Sequence, residues 1–338
     1  MNQTRASSGH TLSSSKQLAS SILRFGALPI VLIVCVVVFQ LGNDRFLSSM
    51  NVMNMTTQSM FLLLIALGQM IVLISGGFDL SVGAVVALTS IITGKVMVAV
   101  TAMYPESVGI AITLGFFAAL GVGLVCGLIN GIGVAILKVN PFIVTLATAS
   151  IFQGITLVVS KGVQVSGLPR YFVIEIGSGR IGNVPVIAIL ALPVCFCVYL
   201  IIHHMRVGRY LYAIGSNLKS AVVSGIRVDR HLIFAYVSCS ILTAFAGWLL
   251  TARVSSGEPL LGGEFPLASI AAAIIGGCSL RGGEGTVIGV IMGVAFITIL
   301  GNGMDLMRIG SNYQMIVLGI VLIAAVVVDR YRASLGVR

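Results

Sequence analysis

Charge is what this sequence has least of. Asp, Glu, Lys and Arg make up 9% of its 338 residues, against about 25% in an average soluble domain. A chain so poor in polar groups cannot cover itself with a water-facing surface. Acids are scarcer still, 10 against 20 Lys and Arg. Ion-coupled transporters carry carboxylates or histidines inside their helix bundles. Here Asp79 is the one acid close to an apolar span in the first half, and the others fall in loops, turns or span ends. That poverty argues against proton coupling and favours energy supplied from outside the chain.

Catalytic and nucleotide motifs are missing as well. No GxxxxGK[ST] loop occurs, and the only Gly-Lys pair, Gly94-Lys95, is followed by Val96, so ATP is not bound by that route. His203 and His204 are adjacent while His10 and His231 stand alone, which gives no metal-ligand spacing. Cys195 and Cys197, two apart on a helix, point to nearly opposite faces and cannot chelate together. All six cysteines fall in apolar spans and read as small packing residues. A serine-hydrolase elbow is absent. The chain is not expected to be an enzyme or to hold a cofactor or metal of its own.

What abounds is long apolar runs. Candidate spans cover 24–42, 56–75, 81–101, 109–137, 142–160, 184–202, 232–252, 266–279, 285–301 and 312–329. About 20 residues rising 1.5 Å each cross a hydrocarbon layer of about 30 Å. Membrane strands would alternate instead, so the expected fold class is all-α: a polytopic membrane protein with about ten transmembrane helices. The eighth segment is short for a full crossing and is a candidate re-entrant helix. Placing the N-terminus in the cytoplasm leaves 13 Lys and Arg inside and 7 outside, the asymmetry the positive-inside rule demands. Both termini are then cytoplasmic. The first 20 or so residues, rich in Ser and Thr, are too polar for a cleaved signal and read as a flexible tail. The formal charge of +10 acts on inner-leaflet membrane lipid and is not read as nucleic-acid binding.

An internal pseudo-repeat is a candidate at a spacing of 200 residues. Gly76-Gly77-Phe78-Asp79-Leu80-Ser81-Val82-Gly83 aligns with Gly276-Gly277-Cys278-Ser279-Leu280-Arg281-Gly282-Gly283. A Gly-Gly pair ends a helix, and Asp79 or Ser279 is suited to cap the next one. Broken helices at membrane depth need protein or a water-filled cavity around them. Gln69, Asp79, Asn130, Thr145 and Gln153 are the translocation-pathway candidates, with Thr148 as a further in-span polar residue. Amides and hydroxyls exchange hydrogen bonds with a hydroxylated solute at low desolvation cost. An interhelical hydrogen bond is the alternative for each.

The segment 203–231 interrupts this pattern with basic, glycine-punctuated sequence, HHMRVGRYLYAIGSNLKSAVVSGIRVDRH. Its charges do not belong in hydrocarbon, so it reads as a docking surface for a cytoplasmic partner. The run Gly208 to Asn217, continued by Ser220 to Ile226, closely resembles the cytoplasmic loop of sugar ABC importer permeases of the ribose, xylose and arabinose type. Agreement extends through both glycine turns, Asn130-Gly131, Pro141 to Leu146, Asn302-Gly303-Met304 and Tyr313 to Ile316.

The resemblance implies a bacterial inner-membrane permease subunit that imports a monosaccharide, pentose-like in size. A nucleoside or another polar solute is the alternative cargo, and an ion-coupled secondary transporter the alternative class. It also implies a cytoplasmic ABC ATPase that holds ATP and Mg, a periplasmic sugar-binding protein, and a second permease copy, identical or related. Gly208, Arg209, Ala213, Gly215, Asn217, Ser220, Ser224 and Gly225 would then dock the ATPase. The stretches 161–185 and 255–263 would meet the binding protein. The implied organisation is a tail over 1–21, a permease domain over 22–330 and a tail over 331–338. Where relatives often carry carboxylates before the second Gly-Gly, this chain reads Pro266-Leu267-Ala268-Ser269-Ile270-Ala271-Ala272.

Overall fold

The computed structural model describes residues 28–334, with side chains to residue 327. The tail expected over 1–21 lies outside the described residues, as do 335–338 of the tail expected at the other end. In chain order the helices are α1 (Leu28–Gly42), α2 (Ser49–Ile74), α3 (Val82–Met103), α4 (Val108–Ala135), α5 (Pro141–Ser160) and, after a π-helical turn at Phe172–Gly177, α6 (Val186–His204). Next come α7 (Arg206–Ser216), α8 (Leu218–Val223), α9 (Val228–Val254), α10 (Phe265–Ile275), α11 (Val287–Leu306) and α12 (Ser311–Ser334). A small hairpin of β1 (Arg180–Ile181) and β2 (Val184–Pro185) precedes α6.

Among the described residues, 7 helices are long and apolar enough to cross a membrane: α2 to α6, α9 and α11. The other expected spans fall on the shorter apolar stretches Leu28–Gly42, Phe265–Ile275 and Ser311–Val327. The eighth is short, as its sequence implies. It stops at Ile275 after 11 residues, about 16 Å of helix and half a crossing. Gly276 and Gly277 end it, and 276–286 forms a turn rather than a continuation.

Helix α2 is the axis of the bundle, with every side chain from Met60 to Ile74 buried. Helices α4 to α6 form an outer layer whose Ile110, Phe117, Ile143 and Phe196 are exposed. Polar groups inside and apolar ones outside suit a chain solvated by lipid. The α4 and α9 backbones touch along Gly123, Gly127 and Gly131. At Gly131 an added methyl group would lie 2.9 Å from the Ile233 Cα. This is the small-residue packing that close helices in lipid use.

The ends of α9 mark two faces. Leu232 and Tyr236, near its start, share a cleft with residues of 75–77, Val134, Pro141, α7, α8 and Arg281. Past its far end, Gly257 forms an antiparallel bridge with Val165, with N to O distances of 2.8 and 2.9 Å. The helix between them has 27 residues and is about 40 Å long.

Candidate functional site

Helices α7 and α8 form the polar element expected over 203–231. Met205 is extended (φ −93°, ψ 161°) and turns the chain sharply out of α6. In α7 the apolar and small residues fall on one side, with Gly208, Leu211 and Ile214 buried, while Arg206, Arg209 and Tyr210 are exposed. Asn217 caps α8, its Oδ1 accepting from the Ser220 N–H at 3.0 Å. After α8 the Ile226 N–H bonds back to the Ala221 carbonyl at 3.1 Å, across Gly225 at φ +78°, a glycine-type helix stop. Tyr210 meets His231 edge-on at 5.1 Å between ring centres, which ties α7 to α9. Among the docking candidates, Arg209, Asn217, Ser220, Ser224 and Gly225 are exposed, Ala213 is half-buried and Gly208 is buried.

Gly215 faces inward. A methyl group there would overlap the Ile74 carbonyl oxygen. That carbonyl already accepts from the Gly283 N–H at 2.8 Å. A methyl on Gly282 (φ +87°) would sit 2.9 Å from the Cα atoms of both Gly215 and Gly76. The Tyr212 hydroxyl donates to the Gly285 carbonyl at 2.6 Å. Burial, with nearby Cys278 adding to it, pushes the Tyr212 phenol up to about 12, so it keeps this proton at neutral pH. Helix α7 thus rests on both glycine turns at once.

The two turns are built alike but not in strict register. Asp79 Oδ1 accepts from the Ser81 N–H at 2.8 Å, and Ser279 Oγ accepts from the Arg281 N–H at 3.2 Å, 200 residues on. The left-handed glycine that ends the preceding helix is Gly76 in the first turn and Gly277 in the second, one residue out of step. Expected caps shift too. Ser81 is the N-cap position of α3 and makes no side-chain cap bond, and Thr286, not Ser279, caps α11 through the Gly289 N–H at 3.0 Å.

Three of the pathway candidates, Gln69, Asp79 and Asn130, converge on the first turn, whereas the Thr145 hydroxyl donates locally to the Pro141 carbonyl at 2.8 Å. Gln69 faces the Asp79 backbone; with its amide nitrogen toward the carbonyl it donates to Asp79 O at 3.1 Å and accepts from Asp79 N at 3.0 Å. Asp79 Oδ1 also accepts from the Ser81 hydroxyl at 2.6 Å. Asn130 Nδ2 donates to Asp79 Oδ2 at 3.2 Å and to Ser81 Oγ at 2.8 Å. Thr148 donates to Asn130 Oδ1 at 2.6 Å, with the Thr145 carbonyl at 3.2 Å as its other acceptor. Gln69, Asp79, Asn130 and Thr145 are each 0% exposed. Burial raises the Asp79 carboxyl, while hydrogen bonds from Ser81 and Asn130 pull the other way. Gln153 stands apart and donates to the Pro259 carbonyl at 2.9 Å, beside the Val165 and Gly257 bridge. Ser81 and Thr148 complete the network. Thr148 is visible in the sequence as an in-span hydroxyl, and Ser81 only as part of the repeat.

Between α7, α8, the first turn and Arg281 lies an open cleft of about 320 Å³, walled by Val134, Pro141, Ile214 and Leu218. No group of three or more His, Cys, Asp or Glu among the described residues could hold a metal. The arrangement is mechanical: an exposed polar helix pair seated on two turns, one of them wired by hydrogen bonds into the bundle.

Comparison with known proteins gives concordant matches. Residues 51–326 match the family model described as branched-chain amino acid transport system / permease component. The ribose import permease of Bacillus subtilis (strain 168) is 37% identical over 305 residues, covering 90% of this chain and 92% of the relative. The D-allose transport system permease of Escherichia coli K12 is 36% identical, covering 91% of each chain. The galactose/methyl galactoside import permease of the same strain is 33% identical over 91% of this chain and 94% of its own. No solved structure matches the chain.

Proposed function

The chain belongs to the branched-chain amino acid transport system / permease component family, and on that premise we propose that it is the membrane-spanning subunit of an ATP-driven importer for a monosaccharide, pentose-like in size. It is a transport subunit and a multi-pass protein of the bacterial inner membrane. The observation that carries the sugar reading is identity of 33% to 37% with ribose, allose and galactose permeases along about 90% of both chains. The family's printed description mentions amino acids, but these relatives are sugar permeases over almost their whole length.

In this reading the face bearing α7 and α8 is cytoplasmic. An ATPase that carries ATP and Mg docks there, on exposed Arg209, Asn217, Ser220 and Ser224. The Lys and Arg asymmetry supports that side, and so does the gathering of 75–77, α7, α8 and Arg281 around one cleft. Ten crossings with cytoplasmic termini follow if α1 and α12 cross and the chain on either side of the short α10 completes the eighth crossing. On the far face, a periplasmic binding protein meets 161–185 and 255–263, two stretches joined through Val165 and Gly257. A second copy, or a related permease, forms the other wall of the path. Gln69, Asp79, Asn130 and Thr145 border that path behind the turn, and Gln153 lies nearer its outer mouth.

Uptake into vesicles holding the chain, its ATPase and its binding protein tests the cargo. Labelled ribose is expected to accumulate with ATP and to be displaced by other monosaccharides. Displacement by nucleosides or branched-chain amino acids, with sugars inert, would contradict the sugar reading.

A further inference from the structure

We infer that the docking helix drives both halves of the bundle through one backbone junction, where Gly215 of α7 meets Gly76 of the first turn and Gly282 of the second. The inference rests on the docking role proposed for α7. Contacts between side chains have rotamer slack and absorb small displacements. This junction has none, because Gly282 approaches the Cα atoms of Gly215 and Gly76 so closely that a methyl group would lie 2.9 Å from each. Two hydrogen bonds lock it laterally, Gly283 N–H to the Ile74 carbonyl at 2.8 Å and Tyr212 O–H to the Gly285 carbonyl at 2.6 Å. A push on α7 therefore moves both turns together.

The junction feeds the two halves unequally. From the first turn, Gln69 holds the Asp79 backbone while the Asp79 carboxylate leads through Ser81 and Asn130 to Thr148. That path joins α2, α4 and α5 without leaving the protein interior. In the second turn the matching position is Ser279, whose hydroxyl closes only a local turn on the Arg281 N–H. Displacement at Gly76 thus reaches α4 and α5, the outer layer, whereas displacement at Gly282 acts on the α10 to α11 turn. Spatial continuity of this kind becomes coupling only where a displacement is transmitted, which is what the experiment reads.

The assembled importer in vesicles carries either the unchanged chain or Gly282→Ala. ATPase retained, ATP hydrolysed and sugar taken up are read separately. A side chain at φ +87° is strained as well as crowded, and uptake per ATP is expected to fall about tenfold while ATPase retention stays within about twofold. Uptake per ATP equal to that of the unchanged chain overturns the inference. Loss of ATPase binding in Gly282→Ala also overturns it, because Gly282 would then shape the docking surface instead of transmitting from it. Should Gly282→Ala fail to reach the membrane, Tyr212→Phe decides. Loss of one hydrogen bond is expected to lower uptake per ATP about threefold, and an unchanged ratio overturns the inference. If the unchanged chain retains no ATPase, the functional reading fails, whatever the junction does.

Discussion

Asn130 holds the Asp79 carboxylate and the Ser81 hydroxyl with the two hydrogens of one amide, at 3.2 and 2.8 Å. All three residues are 0% exposed. Asn130→Leu leaves a buried carboxylate short of a donor, and the expected cost is about 1–3 kcal/mol. Thermal unfolding of the purified chain in mild detergent measures it. Asp79→Ala combined with Asn130→Leu is expected to cost less than the two single losses added, because the second change removes the group the first left unpaired. Additive losses would show that the pair does not act as a unit.

Gly215 and Gly225 are expected to behave differently on substitution. Gly215→Leu drives a side chain into the Ile74 carbonyl and unseats α7, so ATPase retention and uptake should both collapse. Gly225 has open space around it, and Gly225→Ala meets only the φ +78° strain, about 1–2 kcal/mol. Pull-down of the ATPase with each variant separates them; equal effects would show that α7 does not rest on the turns.

Arg209 is exposed on the outer side of α7 and has no part in seating it. Arg209→Glu should leave thermal unfolding unchanged and weaken ATPase binding about tenfold by reversing a surface charge at the contact. A binding titration on detergent-purified chain reads this directly. Unchanged affinity would remove Arg209 from the docking face.

On the opposite face, the Val165 N–H donates to the Gly257 carbonyl at 2.8 Å. Val165→Pro deletes that donor and separates the two outer stretches. Uptake that depends on the binding protein is expected to fall severalfold with ATPase retention intact. Normal uptake at limiting binding protein would mean that this face does not receive it.

The helices were legible because crossing a membrane imposes length and hydropathy on consecutive residues, and the described part of each expected span lies on a helix apart from its ends. Helix α10 was legible as too short for the same reason. What escaped the sequence depends on distant residues meeting. Asp79 and Asn130 are 51 residues apart, and nothing local says that one amide serves both Asp79 and Ser81. The inward face of Gly215 was hidden likewise. Glycine in a polar segment reads as a hinge or a stop, and only the approach of Gly76 and Gly282 shows that it is a contact. Gln153 looked like its in-span neighbours because a side-chain amide on a helix does not reveal which end of the bundle it faces.

The most direct test is recovery of the tagged chain from native membranes in mild detergent, with its companions identified by mass spectrometry and the preparation assayed for transport. The account predicts an ATPase with two nucleotide-binding domains in fixed proportion to the chain, together with a periplasmic sugar-binding protein, and uptake that requires ATP. A chain that emerges alone and concentrates solute in vesicles on an ion gradient without ATP would contradict it.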